Sequence, residues 1–395
     1  MKPLQGIRVI DLTQAMAAPF CTMNLADMGA DVIKIEPPGE GEPTRQLGAA
    51  QKNGHSATFM TMNRDKRGIA VDLKQPEGVE IVRKLAATAD VFVQNYRPGV
   101  VKRLGLDFDS LKKINPRLVY CQISGFGNTG PYASRGGYDL IAQGMSGVIS
   151  VTGDEDGPPA KSGIPLADLA AGLFGAYGIL AALEYRERSG EGQLVDTSLL
   201  EAAMALTVWE SAEYWTTGSA PKPMGSAHRN SAPYQALRAA DGYFNIGAGN
   251  DKLYAALCSA LGRKELLEDK RFATRAARHA NRHDLVAELE KVTSKEARAT
   301  WLERLEKAGV PAGPINNYAE ALADPHALAR GMVVDLQHPG AGAIKALGVP
   351  VKLSETPGAV DRAAPLLGQH TAEILKELCY SESQQKALLS KGVIQ

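Results

Sequence analysis

Nowhere in this chain do eighteen uncharged apolar residues run together, and its opening, MKPLQGIRVIDLTQ, lacks the apolar stretch of a secretion signal. The expectation is a protein of the cytoplasm, or of the mitochondrial matrix after loss of a leader, with no membrane partner. An excess of one charge is missing too, since 44 basic and 44 acidic side chains cancel and neither sign forms a long block. Nucleic acid is therefore not an expected partner. Cysteine is scarce: Cys21, Cys121, Cys258 and Cys379 never approach C-x-x-C spacing. A zinc site and a disulfide framework are both excluded, reduced thiols are expected, and no metal is expected.

Several motifs are also absent. The segment TQAMAAP at 13–19, between an expected strand and its helix, carries no G-x-G-x-x-G, which argues against a nicotinamide cofactor. Walker loops, H-E-x-x-H helices and G-x-S-x-G elbows are missing as well, so a phosphate-loop enzyme, a zinc hydrolase and a conventional serine hydrolase lack support.

What is present is a chain of 395 residues, too long for one ordinary core, with 44% hydrophobic residues to build two. Apolar runs at 7–12, 32–35, 69–73, 91–94 and 118–123 alternate with helical stretches at 20–28 and 76–88. That alternation predicts an α/β domain with a mainly parallel sheet. A long helix of small apolar residues follows at 168–188, too rich in glycine for a membrane span, and another at 198–215. The Gly/Pro-rich string GSAPKPMGSAH marks a border, giving a large domain over 1–200, a linker at 201–224, a smaller α+β domain over 225–320 and a return to the first domain over 321–395. In the smaller domain strands are expected at 234–237 and 243–246, and helices at 251–261 and 282–308.

Four segments attract attention as chemistry. Residues 63–68, NRDKRG, set three basic side chains before a strand, either to meet phosphates or as a solvated turn. Residues 95–99, NYRPG, follow a strand of the parallel sheet, where ligands of such sheets bind, and offer an arginine for charge and Tyr96 for apolar contact. Asp168 is a lone carboxylate entering the apolar helix of PLADLAAG, either a helix-starting residue or a covalent nucleophile. Residues 247–250, GAGN, follow a strand as a plain turn or as a loop that shields a site, with Gly247 and Gly249 as its flexible points.

Taken together, GIRVIDLTQ, GADVIKIEPPG, NRDKRGIAVDL, VQNYRPG, RLGLD, SGFGNTGPY, GYDLIAQ, TGDEDGPP and PLADLAAG resemble the family III CoA-transferases, over nearly the whole chain. The resemblance implies a Rossmann-like large domain, an interlocked homodimer, and acyl-CoA and carboxylic acid substrates, with coenzyme A as substrate rather than a tightly held cofactor. It implies that Asp168 is the nucleophile, passing the acyl group through a mixed anhydride. It places Val71, Lys74, Asn95, Tyr96, Arg103 and Tyr138 against CoA or the thioester, with Met16 and Ala17 nearby. Pro37 stands where formyl-CoA transferase has an arginine, and GAGN replaces that enzyme's glycine run. An unperturbed aspartate has a pKa of about 3.9, so Asp168 is expected to be ionised at neutral pH without a base.

The segments at 225–230, 233–234 and 313–317 look like the branch that takes succinyl-CoA and short dicarboxylic acids, with His228 and Arg229 expected on the acceptor's remote carboxylate. Two other readings compete. α-Methylacyl-CoA racemases share the resemblance but carry G-H-D where this chain has Gly137-Tyr138-Asp139, and tyrosine is a poor base at neutral pH. Formyl-CoA or oxalate specificity is the other, and a CoA-binding scaffold without catalysis leaves the Asp168 motif unexplained.

Overall fold

The computed structural model describes residues 1–48 and 50–395. Its contacts divide the chain into two compact units: one of residues 1–148, 161–218 and 325–395, the other of residues 149–160 and 219–324. The chain thus crosses to the second unit twice, and the stretch at 149–160, read above as part of the large domain, belongs with 219–324.

The first unit is built on β1 (Arg8–Leu12), β2 (Asp31–Glu36), β3 (Arg67–Ala70), β4 (Val91–Gln94), β5 (Val119–Ser124) and β6 (Leu194–Ser198). All neighbours pair in parallel, in the order 3-2-1-4-5-6. Strands such as β1 and β4 are buried on both faces, as runs of Val, Ile and Leu demand when helices cover both sides. One face carries α1 (Ala17–Asp27) and the long α2 (Leu166–Ser189). The sheet order reverses between β1 and β4, and a crevice at the carboxyl ends of the strands follows from that switch.

α2 is long and apolar enough to cross a membrane by length and composition, but half of its most apolar window is buried inside the protein. A Cβ added to Gly172 would lie 2.6 Å from the carbonyl oxygen of Ala17, so only glycine lets α2 close on α1. The neighbouring apolar residues Leu173, Phe174, Tyr177 and Leu180 remain exposed on its other side.

The NRDKRG segment is neither a solvated turn nor a phosphate cradle. Arg64, Lys66 and Arg67 are all buried. Arg64 binds Asp27 through two bonds of 3.0 and 2.6 Å, Lys66 donates to Asp11 at 2.8 Å, and Arg67 meets Asp31 at 2.6 Å. Lys34 adds a second cation 3.9 Å from Asp11. Burial pushes the Asp11 carboxyl up, but Lys66 and Lys34 outweigh it and hold the group down at about 2.

The second unit has a three-stranded antiparallel sheet of β7 (Tyr234–Ala239), β8 (Gly242–Gly247) and β9 (Ala312–Pro314), with β8 central. Its core gathers Leu237, Phe244, Tyr254, Leu285 and Trp301. The helix expected over 282–308 is two, Arg282–Thr293 and Arg298–Lys307. The break lets the indole of Trp301 donate to the Thr293 carbonyl at 2.7 Å while the Thr293 hydroxyl donates to Arg238. The helix expected over 198–215 is also two, α3 (Leu199–Ala205) and α4 (Val208–Thr217), because Thr207 turns its amide and its hydroxyl back on the Met204 carbonyl.

Candidate active site

At the switch between β1 and β4 lies a cavity of about 390 Å³. Residues 14–17, 95–98 and 123–125, at the carboxyl ends of β1, β4 and β5, line it together with Pro43, Leu47, residues 135–139, Asp168 and Leu199. Placement follows from glycine again. Gly125, just after β5, sits so close to Gly137 that a Cβ on either would lie 2.4–2.6 Å from the other's Cα. That contact brings Tyr138 and Asp139 to the end of the sheet.

Asp168 stands in the first turn of α2, whose N-cap, Pro165, offers no side-chain acceptor. The vacancy is filled from α5 (Asp139–Met145): one carboxylate oxygen of Asp139 accepts from the backbone N–H of Ala167 at 2.9 Å and of Asp168 at 3.4 Å. Gln143 fixes the other oxygen at 2.7 Å. The cap carries a charge, and it stands beside a second carboxylate. Burial first, and the charge of Asp139 second, push the Asp168 carboxyl up to about 7. The expectation of an ordinary, fully ionised aspartate is therefore corrected: near neutral pH this group is poised between its two forms.

The same cavity is lined by the start of α1, whose first N–H groups have no intrahelical acceptor and whose first turn holds no acid. The loop leading to it is held tightly. Ala15 adopts φ of 66°, unusual for a residue with a Cβ, and its N–H donates to Glu42 at 2.8 Å. Asn95 clasps Gln14 twice, accepting from its N–H at 2.9 Å and donating to its carbonyl at 2.8 Å. At the mouth, Arg97 and Arg135 are exposed, and neither meets a carboxylate among the described residues. Arg135 lies 4.0 Å above the ring of Tyr132.

A carboxylate raised toward neutrality, in one cavity with a positive helix end and two arginines, suits covalent exchange on an anionic carrier. Comparison with known proteins agrees, for the model of CoA-transferase family III matches residues 4–371. The chain belongs to that family. It is 43% identical over 396 residues to a succinyl-CoA:glutarate CoA-transferase of Mus musculus, covering all of this chain and 91% of the relative. It is 42% identical over 382 residues to a succinate–glutarate CoA-transferase of Agrobacterium fabrum, covering 95% and 96%. Among solved structures, a CaiB/BaiF family protein from Brucella suis superposes with a TM-score of 0.88 at 44% identity, covering 95% of this chain and 99% of that one.

In this CoA-transferase the residues named from sequence fall into three groups. Met16, Ala17, Asn95, Tyr96, Tyr138 and Asp168 line the one cavity. The Asn95 amide is occupied by its clasp on Gln14, so it shapes the loop. Val71, Lys74 and Arg103 lie outside that lining. Val71 is 1% exposed and bridges to Ile394, so its side chain offers no ligand surface. Lys74 follows β3, its N–H bound to Asp72, and Arg103 ends the short helix Val100–Arg103.

Gly247 and Gly249 line a separate cavity of the second unit, whereas His228 and Arg229 do not. The imidazole of His228 stacks on Tyr234, and Arg229 donates to the Lys222 carbonyl at 3.1 Å. Sequence reasoning passed over Asp139, Glu42 and Arg135. Asp139 was visible in Gly-Tyr-Asp as an acid opening a helix, but the motif had been weighed only for its tyrosine.

Proposed function

We propose that this enzyme moves coenzyme A from succinyl-CoA to a short dicarboxylic acid, using the Asp168 carboxylate as the covalent carrier. The observation that carries the reading is the position of Asp168: a half-buried carboxylate with a pKa near 7, lining one cavity with the start of α1. The Mus musculus and Agrobacterium fabrum relatives, both named for succinate and glutarate, support the choice of acids.

In the first step an Asp168 oxygen attacks the thioester carbonyl carbon. The C–S bond breaks, CoA leaves as thiolate, and an acyl–aspartyl anhydride remains. Thiolate attack on the Asp168 carbonyl carbon releases the donor acid and leaves an aspartyl thioester. The acceptor carboxylate displaces thiolate from it, and thiolate then takes the acceptor acyl group, restoring Asp168. The N–H groups at the start of α1, which lines the same cavity, are the proposed donors to the oxyanion formed in each addition. A pKa near 7 makes Asp168 a stronger nucleophile than an ordinary carboxylate while leaving much of it ionised at neutral pH. Arg97 and Arg135 supply charge for the phosphates of CoA.

The expected homodimer fits the surface of the first unit. α4 (Val208–Thr217) buries none of its residues, with Trp209 63% and Trp215 79% exposed, and the exposed face of α2 adds Leu173, Phe174, Tyr177 and Leu180. So much uncovered apolar surface suits a second copy of the chain.

The test is an acceptor panel: purified protein with succinyl-CoA and glutarate, itaconate, oxalate, formate or butyrate, each new thioester being followed by chromatography. New thioester with glutarate or itaconate is expected. Exclusive use of formate or oxalate, or deuterium entering the α-carbon without transfer, would replace the proposal.

A further inference from the structure

The loop that joins β1 to α1 is tied at three successive residues and then released. Thr13 donates its N–H to Asp11 at 3.1 Å, and its carbonyl accepts from Lys34 at 2.8 Å. Gln14 is clasped by Asn95, and the Ala15 N–H donates to one oxygen of Glu42 at 2.8 Å. The next N–H groups, those of Met16 and Ala17, meet no acceptor among the described residues, and both residues line the cavity that Asp168 lines. We infer that Glu42 is a positioning residue for acyl transfer: its carboxylate holds Ala15 in a left-handed conformation and so presents the N–H groups of Met16 and Ala17 to the oxyanion. This rests on the proposed transfer and adds to it the group that sets the donors in place.

The backbone supplies the first reason. With φ of 66°, Ala15 occupies a region that its Cβ disfavours, and such a conformation persists only where the surroundings impose it. The bond to Glu42 is the one hydrogen bond that Ala15 makes among the described residues. Rotation about φ of Ala15 re-aims all that follows it, beginning with the Met16 N–H. Without Glu42 the loop is free to relax, and the donors turn with it.

Glu42 is itself held from behind. It is buried, which a carboxylate resists, and its charge strengthens the bond to Ala15. Its other oxygen accepts from the Thr44 hydroxyl, and its own N–H donates to Glu36 at 3.2 Å. Arg45 grips both oxygens of Glu36, at 2.6 and 2.7 Å, and lies 3.6 Å above the ring of Phe59. Gly41 makes that packing possible: at its φ of 72°, a Cβ would fall 2.6 Å from Cδ of Arg45 and 2.8 Å from Oε2 of Glu36. Glu42 does not line the cavity, so its effect on the reaction passes through Ala15.

Turnover with succinyl-CoA and glutarate separates positioning from a merely structural part. Glu42→Ala should lower kcat and kcat/KM for succinyl-CoA together, by about 10- to 100-fold, because the donors it sets matter only once the oxyanion forms. Glu42→Gln keeps an oxygen for the Ala15 N–H and should fall between Glu42→Ala and wild type. Glycine adopts a positive φ freely, so adding Ala15→Gly to Glu42→Ala should return about threefold or more of the lost kcat. A kcat in Glu42→Ala equal to wild type, a loss confined to KM, or a loss that Ala15→Gly does not relieve overturns the role. Should Glu42→Ala melt below the assay temperature, Thr44→Val carries the test, since it keeps the carboxylate but removes the hydroxyl that aims it. It should lower kcat by about threefold with KM unchanged, and a kcat equal to wild type overturns the role. Hydroxylamine trapping in wild type keeps the two readings apart. CoA transfer without a hydroxamate at Asp168 loses the carrier, whereas the same kcat pattern across the variants keeps Glu42 in its role.

Discussion

Asp11 and Asp168 lie in the same unit, both withdrawn from water, and their carboxyls end at opposite extremes: about 2 for the first and about 7 for the second. Burial pushes both upward. Under the sheet Asp11 meets two lysines and a pair of hydroxyl donors, Thr13 and Thr22, which more than compensate. At the cavity Asp168 meets another carboxylate. Desolvation alone thus does not decide what a buried aspartate becomes; the sign of its neighbour does. One arrangement ties the β1 loop to the sheet, and the other raises the carboxyl proposed as the acyl carrier.

That contrast can be broken from either side. The largest effect is expected under the sheet. Lys66→Met leaves Asp11 buried with only the more distant Lys34, and should cost about 3–5 kcal/mol in a urea titration. Asp11→Asn combined with Lys66→Met should recover much of it, and a single variant as stable as wild type would deny the pair its part in holding the loop.

At the cavity the sign reverses. The folded pKa of Asp168 is raised above its unfolded value, so the folded protein binds more protons between about pH 4 and 7 and loses stability as pH rises through that window. Asp168→Asn should therefore melt near the wild-type temperature at pH 4 but be more stable at pH 8, by about 4 kcal/mol. Equal curves at both pH values would mean the carboxyl titrates normally.

The smallest effect isolates the neighbour. Asp139→Asn keeps an oxygen to accept from Ala167 but removes the charge. The rising limb of kcat/KM for succinyl-CoA, expected in wild type near pH 7, should move down by about one unit. A limb that stays in place would leave burial as the whole cause.

These two aspartates also show what sequence does and does not disclose. Asp168 stood out as a single charge among small apolar residues, but that pattern left a helix-starting role open, and its proposed role came from the resemblance. The parallel sheet was legible from alternating runs, because each strand's burial is written in its own residues. Strand order was not, since pairing partners lie far apart along the chain, and β6 (Leu194–Ser198) has the mixed composition of a half-covered edge. Lys66 was misread because a basic string states charge without stating what faces it, and its partner is 55 residues away.

The central claim is that the acyl group rests on Asp168. The direct measurement is to mix the protein with succinyl-CoA and hydroxylamine, digest it, and weigh the peptide carrying residue 168. A hydroxamate at Asp168 that depends on succinyl-CoA and is absent from Asp168→Asn is the predicted result; full CoA transfer by Asp168→Asn, or trapping at another residue, would contradict it.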